Sequence, residues 1–441
     1  MKILHVLSSY LPHQIAGTEV YVSALIRELK KRNVNSKVII PNIGKTENEY
    51  YFFEETEIIK YAEPSAEKRS ILTGNEAPMG LVPFIKILKS EQPDLVHFHE
   101  VAGGVGVGIY HVQAAKEMGL KTLMTFHLSK YTCKTGSLMY MNQTKCDGVI
   151  RELQCSKCWL NESGETGLRF LAIKAGYTLM HHLNIDTRFL KNSLGTALAL
   201  PKVIEGIRNN LLKLQSITDG FIVLTEWYKN ILIKNGVKES HLSLIKQGLP
   251  VEFVEKIITV KKNEKLRLVF VGRVSHFKGL DILLSALKDI PQNRVDLVIY
   301  GAATEQDYHD KCLQISAGNS NVFWKGTIAP NLVINTLQEH DVLCIPSAVS
   351  EMGPFVLKEA FAAGIPVLAS NVYGNAEQVI DGENGWLFKF KDIADLKEKI
   401  ELLIENPLLI ENAKLKIPAV KSFETVAEEH EKLYKEILAA L

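Results

Sequence analysis

Two glutamates, Glu351 and Glu359, stand with seven residues between them in the largely apolar stretch SEMGPFVLKEAFAAGIPVLAS. Carboxylates accept hydrogen bonds from hydroxyls and pair with cations. Pro354, just after the first glutamate, suits the opening turn of a helix. That turn leaves backbone N–H groups free at the positive end of the helix dipole, which makes an anion site. Two carboxylates beside it could grip two sets of hydroxyls on either side of a diphosphate. The plain alternative is that Glu351 caps the helix and Glu359 faces solvent, and spacing alone does not choose. Upstream, FVGRVSHFKG carries Arg273 and Lys278 five positions apart. An arginine fork and a lysine point charge neutralise a diphosphate well, although two solvated surface cations are the commoner use of such a pair. A third anion-facing turn is QIAGTEV, where Gly17 permits close backbone approach just before a helix. Three phosphate-suited turns, in two halves of one chain, are much less expected by chance than one.

These turns need strands and helices to hold them. KILHVLS, SKVIIPN, DLVHFHE, KTLMTFH and GFIVLTEWY read as strands in the first half, with helical apolar spacing between them. LRLVFVG, VDLVIYG, VFWKG, DVLCIPS and GIPVLAS repeat the alternation in the second half. Strand–helix alternation predicts an α/β fold with parallel sheets, and ligands bind such sheets at the carboxyl ends of the strands. The charged stretch VEKIITVKKNEK marks a linker near 251–264. Two Rossmann-like domains facing across a cleft are expected, an N-terminal one over 1–250 and a C-terminal one over 265–418. The last segment, 419–441, reads as an amphipathic helix packing back across both.

Size and composition agree with this. At 441 residues the chain is too long for one typical core. It is 46% hydrophobic and 23% charged, as ordinary globular proteins are. A net charge of +1 supplies no global field for nucleic acid, so no nucleic-acid partner is expected. No apolar run approaches the ~20 residues of a membrane-spanning helix. MKILHVLSSYLPHQ reads as a buried strand rather than a signal peptide, so a cytoplasmic setting is expected.

The pieces GTEVYV, DLVHFH, TFH, FVGRVSHFKGLDILLSAL, WKGTI, DVLCIPSAVSEMGPFVLKEAFAAGIPVLAS and GNAEQVIDGENGWLF fall in the order seen in family 4 glycosyltransferases. The chain resembles these retaining enzymes of GT-B fold over nearly its whole length, most specifically in its C-terminal half. The resemblance implies transfer of a sugar from a nucleotide-diphospho-sugar to a glycan or lipid-linked acceptor. It implies that Arg273 and Lys278 hold the diphosphate, Glu359 the ribose hydroxyls and Glu351 the donor sugar. Gly17 would bring its amide to the diphosphate, and His127 would stand near the transferred sugar. Gly353, Pro354, Phe355 and Val356 correspond to the turn after the first glutamate; Phe355 and Val356 can offer amides and Pro354 cannot. Ala16 stands where the family often has glycine, and Leu128 where it often has aspartate. There is no Asp-x-Asp, which weakens a metal-bridged diphosphate, and no cofactor is expected to be required for catalysis. A non-catalytic nucleotide-sugar-binding protein and a GT-B phosphorylase or epimerase are the rival readings, the phosphorylase lacking a recognisable pyridoxal lysine.

YTCKTGSLMYMNQTKCDGVIRELQCSKCWL, within an insert over about 128–165, spaces Cys133, Cys146, Cys155 and Cys158 as C-x12-C-x8-C-x2-C. The C-x-x-C pair is a knuckle for tetrahedral metal binding, and a structural zinc is expected. Another metal or cluster, or free or disulfide-bonded thiols, are the alternatives. The insert follows His127 directly and is expected to lid or frame the acceptor cleft; a cysteine-bearing insert at this place is similar to one seen in a subset of the family. Cys312 and Cys344 read as core thiols. VAGGVGVGIYH misses the dinucleotide fingerprint, which disfavours a nicotinamide enzyme. His97 and His99 alternate on one strand and so share a face; hydrogen bonding at a strand end is expected there ahead of a metal pair. RFLAIKAGYTLMHHLNIDTRFLK mixes aromatic and basic residues, which suits either ordinary packing or a peripheral contact with the inner face of a membrane.

Overall fold

The computed structural model describes residues 1–65, 76–101, 106–164, 167–183, 193–249 and 264–440. The linker read at 251–264 and part of the glycine-rich turn after DLVHFHE lie mostly outside them. In chain order the strands of the first half are β1 (Lys2–Val6), β2 (Asn35–Ile43), β3 (Glu49–Phe53), β4 (Thr56–Glu63), β5 (Leu95–Phe98), β6 (Lys121–Phe126), β7 (Met139–Tyr140), β8 (Thr144–Lys145), β9 (Gly220–Val223) and β10 (Leu242–Leu244). Those of the second half are β11 (Leu266–Val271), β12 (Val295–Tyr300), β13 (Val322–Trp324), β14 (Val342–Ile345), β15 (Val367–Ser370) and β16 (Gly385–Phe388).

The chain forms two compact units. One comprises Met1–Gly136, Asp147–Pro250 and Ser422–Leu441, the other Ser137–Cys146 and Val251–Lys421. The first contains a sheet in the order β10-β9-β6-β5-β1-β2-β4-β3. Its neighbours are parallel except at the β3–β4 edge, a hairpin turned by Glu54 and Glu55. Both turn residues have positive φ, 46° and 64°, which is what a two-residue hairpin loop requires. The interior strands are largely apolar, as strands covered on both faces must be, with His5 of β1, His97 of β5 and Thr122 and Thr125 of β6 as buried polar exceptions. In register, His5 of β1 lies beside His97 of β5.

The C-terminal helix Phe423–Ala439 belongs to this first unit. Ser422 caps it by accepting from the Thr425 amide at 3.2 Å. Its buried stripe of Phe423, Val426, Ala427, His430, Tyr434 and Ile437 follows helical spacing. Arg32, at the end of the helix Gly17–Lys31, pairs with Glu428 and Glu431 on it.

The second unit contains a fully parallel sheet in the order β13-β12-β11-β14-β15-β16. Leu268, Phe270, Leu283, Leu297, Val342 and Leu368 are buried in its core. The short hairpin β7–β8, though drawn from the first half of the sequence, belongs here.

Candidate active site

In the second unit, the loops after β11 and β14 meet. β11 ends at Val271; a 3-10 turn, His276–Lys278, follows, and then the helix Leu280–Leu287. Gly279 joins turn to helix at φ 67°, and a Cβ there would come within 2.0 Å of the Pro346 carbonyl beyond β14. Only glycine lets the two loops approach this closely. The approach delivers Lys278 to Glu351: Nζ donates to Oε1 at 2.7 Å, with both side chains largely buried. Ser347, fully buried, donates its hydroxyl to the same oxygen at 2.8 Å. Ser370 in turn donates to the Ser347 carbonyl at 2.8 Å. Gly374, at φ 87°, lies so close that a Cβ would meet the Glu351 carbonyl at 1.8 Å. Glu351 is therefore fixed by its charge partner, by a hydroxyl and by its own backbone, and its other carboxylate oxygen remains for a ligand. It does not cap the next helix.

That helix runs Phe355–Ala363 with Pro354 as its N-cap, one position earlier than a first-turn proline, because Pro354 is extended at ψ 133°. Phe355 and Val356 open the helix, so their amides belong to the set that no helical carbonyl can reach. Gly353, at φ 106°, turns the chain into it. Glu359 lies in the same helix, half-buried, and its carboxylate has no hydrogen-bond partner among the described residues. Burial pushes its pKa up to about 7. Such a carboxyl gains from any hydroxyl that reaches it. Arg273, past the end of β11, is exposed. After His276, its charge helps to hold the Glu305 carboxyl below the ordinary range.

The β7–β8 hairpin braces this site. Ser350 donates its amide to the Ser137 carbonyl at 2.9 Å, next to Glu351. Its hydroxyl contacts Met139 Sδ at 3.5 Å. On the other flank Lys145 donates to Asn371 at 2.5 Å, and Lys391 to Asn142 at 2.8 Å. Asn371 leads into Tyr373, whose carbonyl accepts from the Glu351 amide at 2.9 Å.

In the first unit, Gly17 opens the helix Gly17–Lys31 and is exposed. Two residues on, Glu19 is 3% exposed; Ser9 donates to its Oε1 at 2.7 Å, and Oε2 has no partner among the described residues. His127, just past β6, is 9% exposed, and its Nε2 is 3.2 Å from His99 Nδ1. His99 Nε2 is 3.0 Å from His5 Nδ1, and His5 Nε2 is 3.4 Å from Ser36 Oγ. Burial, reinforced by His430, lowers His5 and His127 to about 3. His97 and His99 are held well below 6.5, chiefly by burial. All four are neutral imidazoles at pH 7. The nitrogens of His5, His97 and His99 lie close enough together for a metal. His97, however, already bonds Tyr434 at 2.8 Å and Thr125 at 2.7 Å, and the others bond one another. This is a hydrogen-bonded cluster, as the strand alternation of His97 and His99 suggested.

Cys155 and Cys158 lie one turn apart on the helix Glu152–Glu162, and Cys155 Sγ accepts from the Arg151 amide at 3.4 Å. Cys133 follows a 3-10 turn, Ser129–Tyr131, and Cys146 ends the hairpin segment. All four are half-buried. Four thiols are the chemical donor set of a structural zinc, though among the described residues no three of their sulfurs are gathered within reach of one ion. Cys312 and Cys344 are buried, and burial pushes the Cys312 thiol up to about 11 and that of Cys344 higher still. No helix among the described residues is long and apolar enough to cross a membrane.

The model of the family described as glycosyl transferases group 1 matches residues 251–419, and that of glycosyltransferase family 4 matches residues 15–148. Two parts of the chain, one in each half, are thus similar to glycosyltransferase family models. An uncharacterized glycosyltransferase of Methanocaldococcus jannaschii is 27% identical over 50% of this chain and 59% of its own length. A D-inositol 3-phosphate glycosyltransferase of Corynebacterium aurimucosum is 29% identical over 32% of this chain and 35% of its own length. The chain thus spans from about a third to somewhat over half of these curated relatives. The crystal structure of Anabaena HepE in complex with UDP-glucose superposes with a TM-score of 0.62 at 14% identity, over 99% of this chain and 100% of that one. The fold is GT-B.

Lys278 and Glu351 are brought into direct contact, and the Phe355–Ala363 helix carries Glu359. Ser347, Ser370 and Glu19 received no role from sequence reasoning. Serines are too common to signal anything alone, and only the fold around Glu351 reveals Ser347 and Ser370; Glu19 shows itself only by its burial and its bond to Ser9.

Proposed function

We propose that the chain moves a sugar from a nucleotide-diphospho-sugar to a carbohydrate or lipid-linked acceptor, with retention of configuration, in making cell-surface polysaccharide or glycoconjugate. The observation that supports this best is the Lys278–Glu351–Ser347 cluster beside the amino end of the Phe355–Ala363 helix, inside the glycosyl transferases group 1 domain. Glycosyl transfer passes through an oxocarbenium-like state as the sugar–phosphate bond stretches. Negative charge grows on the departing diphosphate. Arg273, Lys278 and the amides of Phe355 and Val356 stabilise it there. Glu351 positions the donor sugar through its hydroxyls rather than attacking the anomeric carbon, since Lys278 and Ser347 already hold one of its oxygens. Glu359 holds the ribose hydroxyls. Gly17 offers its amide to the diphosphate, and His127 hydrogen-bonds the transferred sugar. The acceptor attacks from the leaving-group face, and the diphosphate takes its proton.

Cys133, Cys146, Cys155 and Cys158 hold a zinc ion with a structural role only. The protein works in the cytoplasm, with a peripheral contact to the inner face of the membrane when the acceptor is lipid-linked. Release of free nucleotide diphosphate from a panel of nucleotide-sugars, with and without candidate acceptors, tests the reading. Acceptor-stimulated release with an α-to-α product supports it. Tight donor binding without turnover under any acceptor assigns the chain to the non-catalytic binders instead.

A further inference from the structure

His127 is not isolated. From the half-buried Ser36, hydrogen bonds run through His5 and His99 to His127 without a gap, at 3.4, 3.0 and 3.2 Å. Each link joins Nδ1 of one ring to Nε2 of the next. Their sheet positions make this possible: β1 is flanked by β5, and β5 by β6, so the three rings stand on adjacent strands or just past their ends. The Tyr21 and His127 rings pack in a T shape, centroids 4.9 Å apart, which fixes the outer ring. His97 stands beside the line but is committed elsewhere, to Tyr434 and Thr125.

A neutral imidazole has one N–H and one bare nitrogen. In a line of three such rings, every link needs one donor and one acceptor. Only two arrangements satisfy all links. Either all three rings carry hydrogen on Nε2, and His127 presents a bare Nδ1, or all three carry it on Nδ1, and His127 presents an Nδ1–H. Mixed states leave two N–H groups, or two lone pairs, facing each other in a buried place. We propose that His5 and His99 are positioning residues that lock the tautomer in which His127 meets the transferred sugar.

The function of the line rests on the glycosyltransferase reading, in which His127 hydrogen-bonds that sugar, but its existence does not. A bare Nδ1 accepts from a sugar hydroxyl; an Nδ1–H donates to one. Changing between them moves one proton across each link. Because all the links must change together, His127 cannot switch alone, and the line holds it in one form.

Long-range 15N–1H spectra of histidine-labelled protein test this directly. The expected result is one shared tautomer for His5, His99 and His127. Different tautomers among the three in the wild-type chain overturn the proposal. His5→Leu removes the inner end, and His5→Asn keeps a polar atom near the Nδ1 position. With His5→Leu the His127 signal loses its single tautomer, and kcat falls about tenfold or more with donor KM changed less than about twofold. His5→Asn restores most of that kcat. An unchanged His127 tautomer and unchanged kcat in His5→Leu also overturn the proposal. A shared tautomer in a chain that turns over no nucleotide-sugar keeps the line and rejects the transferase reading, so the two failures are distinct.

Discussion

Replacing Glu359 by glutamine should stabilise the protein above neutral pH while weakening donor binding. Glu359 is half-buried with no hydrogen-bond partner among the described residues, and burial raises its pKa from 4.5 to about 7. Between those two values the folded chain binds this proton and the unfolded chain does not, so stability falls as pH rises through the window and stays lower above it. At ~1.4 kcal/mol per tenfold the loss is about 3 kcal/mol, screened toward about 2 by the solvent that reaches the group. Glutamine has the same shape and no charge, so Glu359→Gln avoids this loss. Urea denaturation of both proteins at pH 4.5 and pH 8 measures it. The variant should match the wild type at pH 4.5 and exceed it by about 2–3 kcal/mol at pH 8. Its affinity for the nucleotide-sugar should fall, because a carboxylate grips two ribose hydroxyls and an amide accepts from them with one oxygen only. A stability gap that does not change with pH refutes the burial argument. Unchanged donor affinity refutes the assignment of Glu359 to the ribose.

Three further outcomes follow from the same contacts. Lys278→Ala removes the partner of Glu351 and a charge from the diphosphate, and should cost about 2–4 kcal/mol of barrier, read as a loss in kcat of roughly thirtyfold to a thousandfold. Gly374→Ala drives a methyl into the Glu351 carbonyl at positive φ, so the melting temperature should drop by several degrees, for a cost of about 2 kcal/mol or more, with donor affinity falling alongside. Purified protein should contain about one zinc per chain by elemental analysis, and a Cys155→Ser, Cys158→Ser double variant should contain little. Loss of zinc without loss of stability would show that the ion has no structural part.

The alternating fold was legible because parallel strands covered on both faces must be continuous apolar runs, and LRLVFVG or DVLCIPS hardly permits another reading. The β3–β4 hairpin was not, because Glu54 and Glu55 turn it in place of the asparagine–glycine pair that announces such loops. Lys278 and Glu351 could be picked out by type and position, yet their contact depends on Gly279 passing the Pro346 carbonyl, 67 residues away in sequence. The bracing of Glu351 by the β7–β8 hairpin was not legible, because its position after His127 gave no hint of hydrogen bonds to Ser350 and Asn371. His97 and His99 declared a shared face by alternation, but His5 and His127 join them only through the strand order β1-β5-β6. Local pattern finds elements and end-of-strand turns; contacts set by sheet order and loop approach need the fold.

Calorimetric titration of the purified chain with nucleotide-diphospho-sugars and their free nucleotide diphosphates reaches the central claim most directly. One nucleotide series should bind at one site per chain, with Arg273→Ala and Lys278→Ala each weakening the free diphosphate at least about tenfold. Absence of binding by every nucleotide tried, or full affinity in both variants, would contradict a diphosphate site at the ends of β11 and β14.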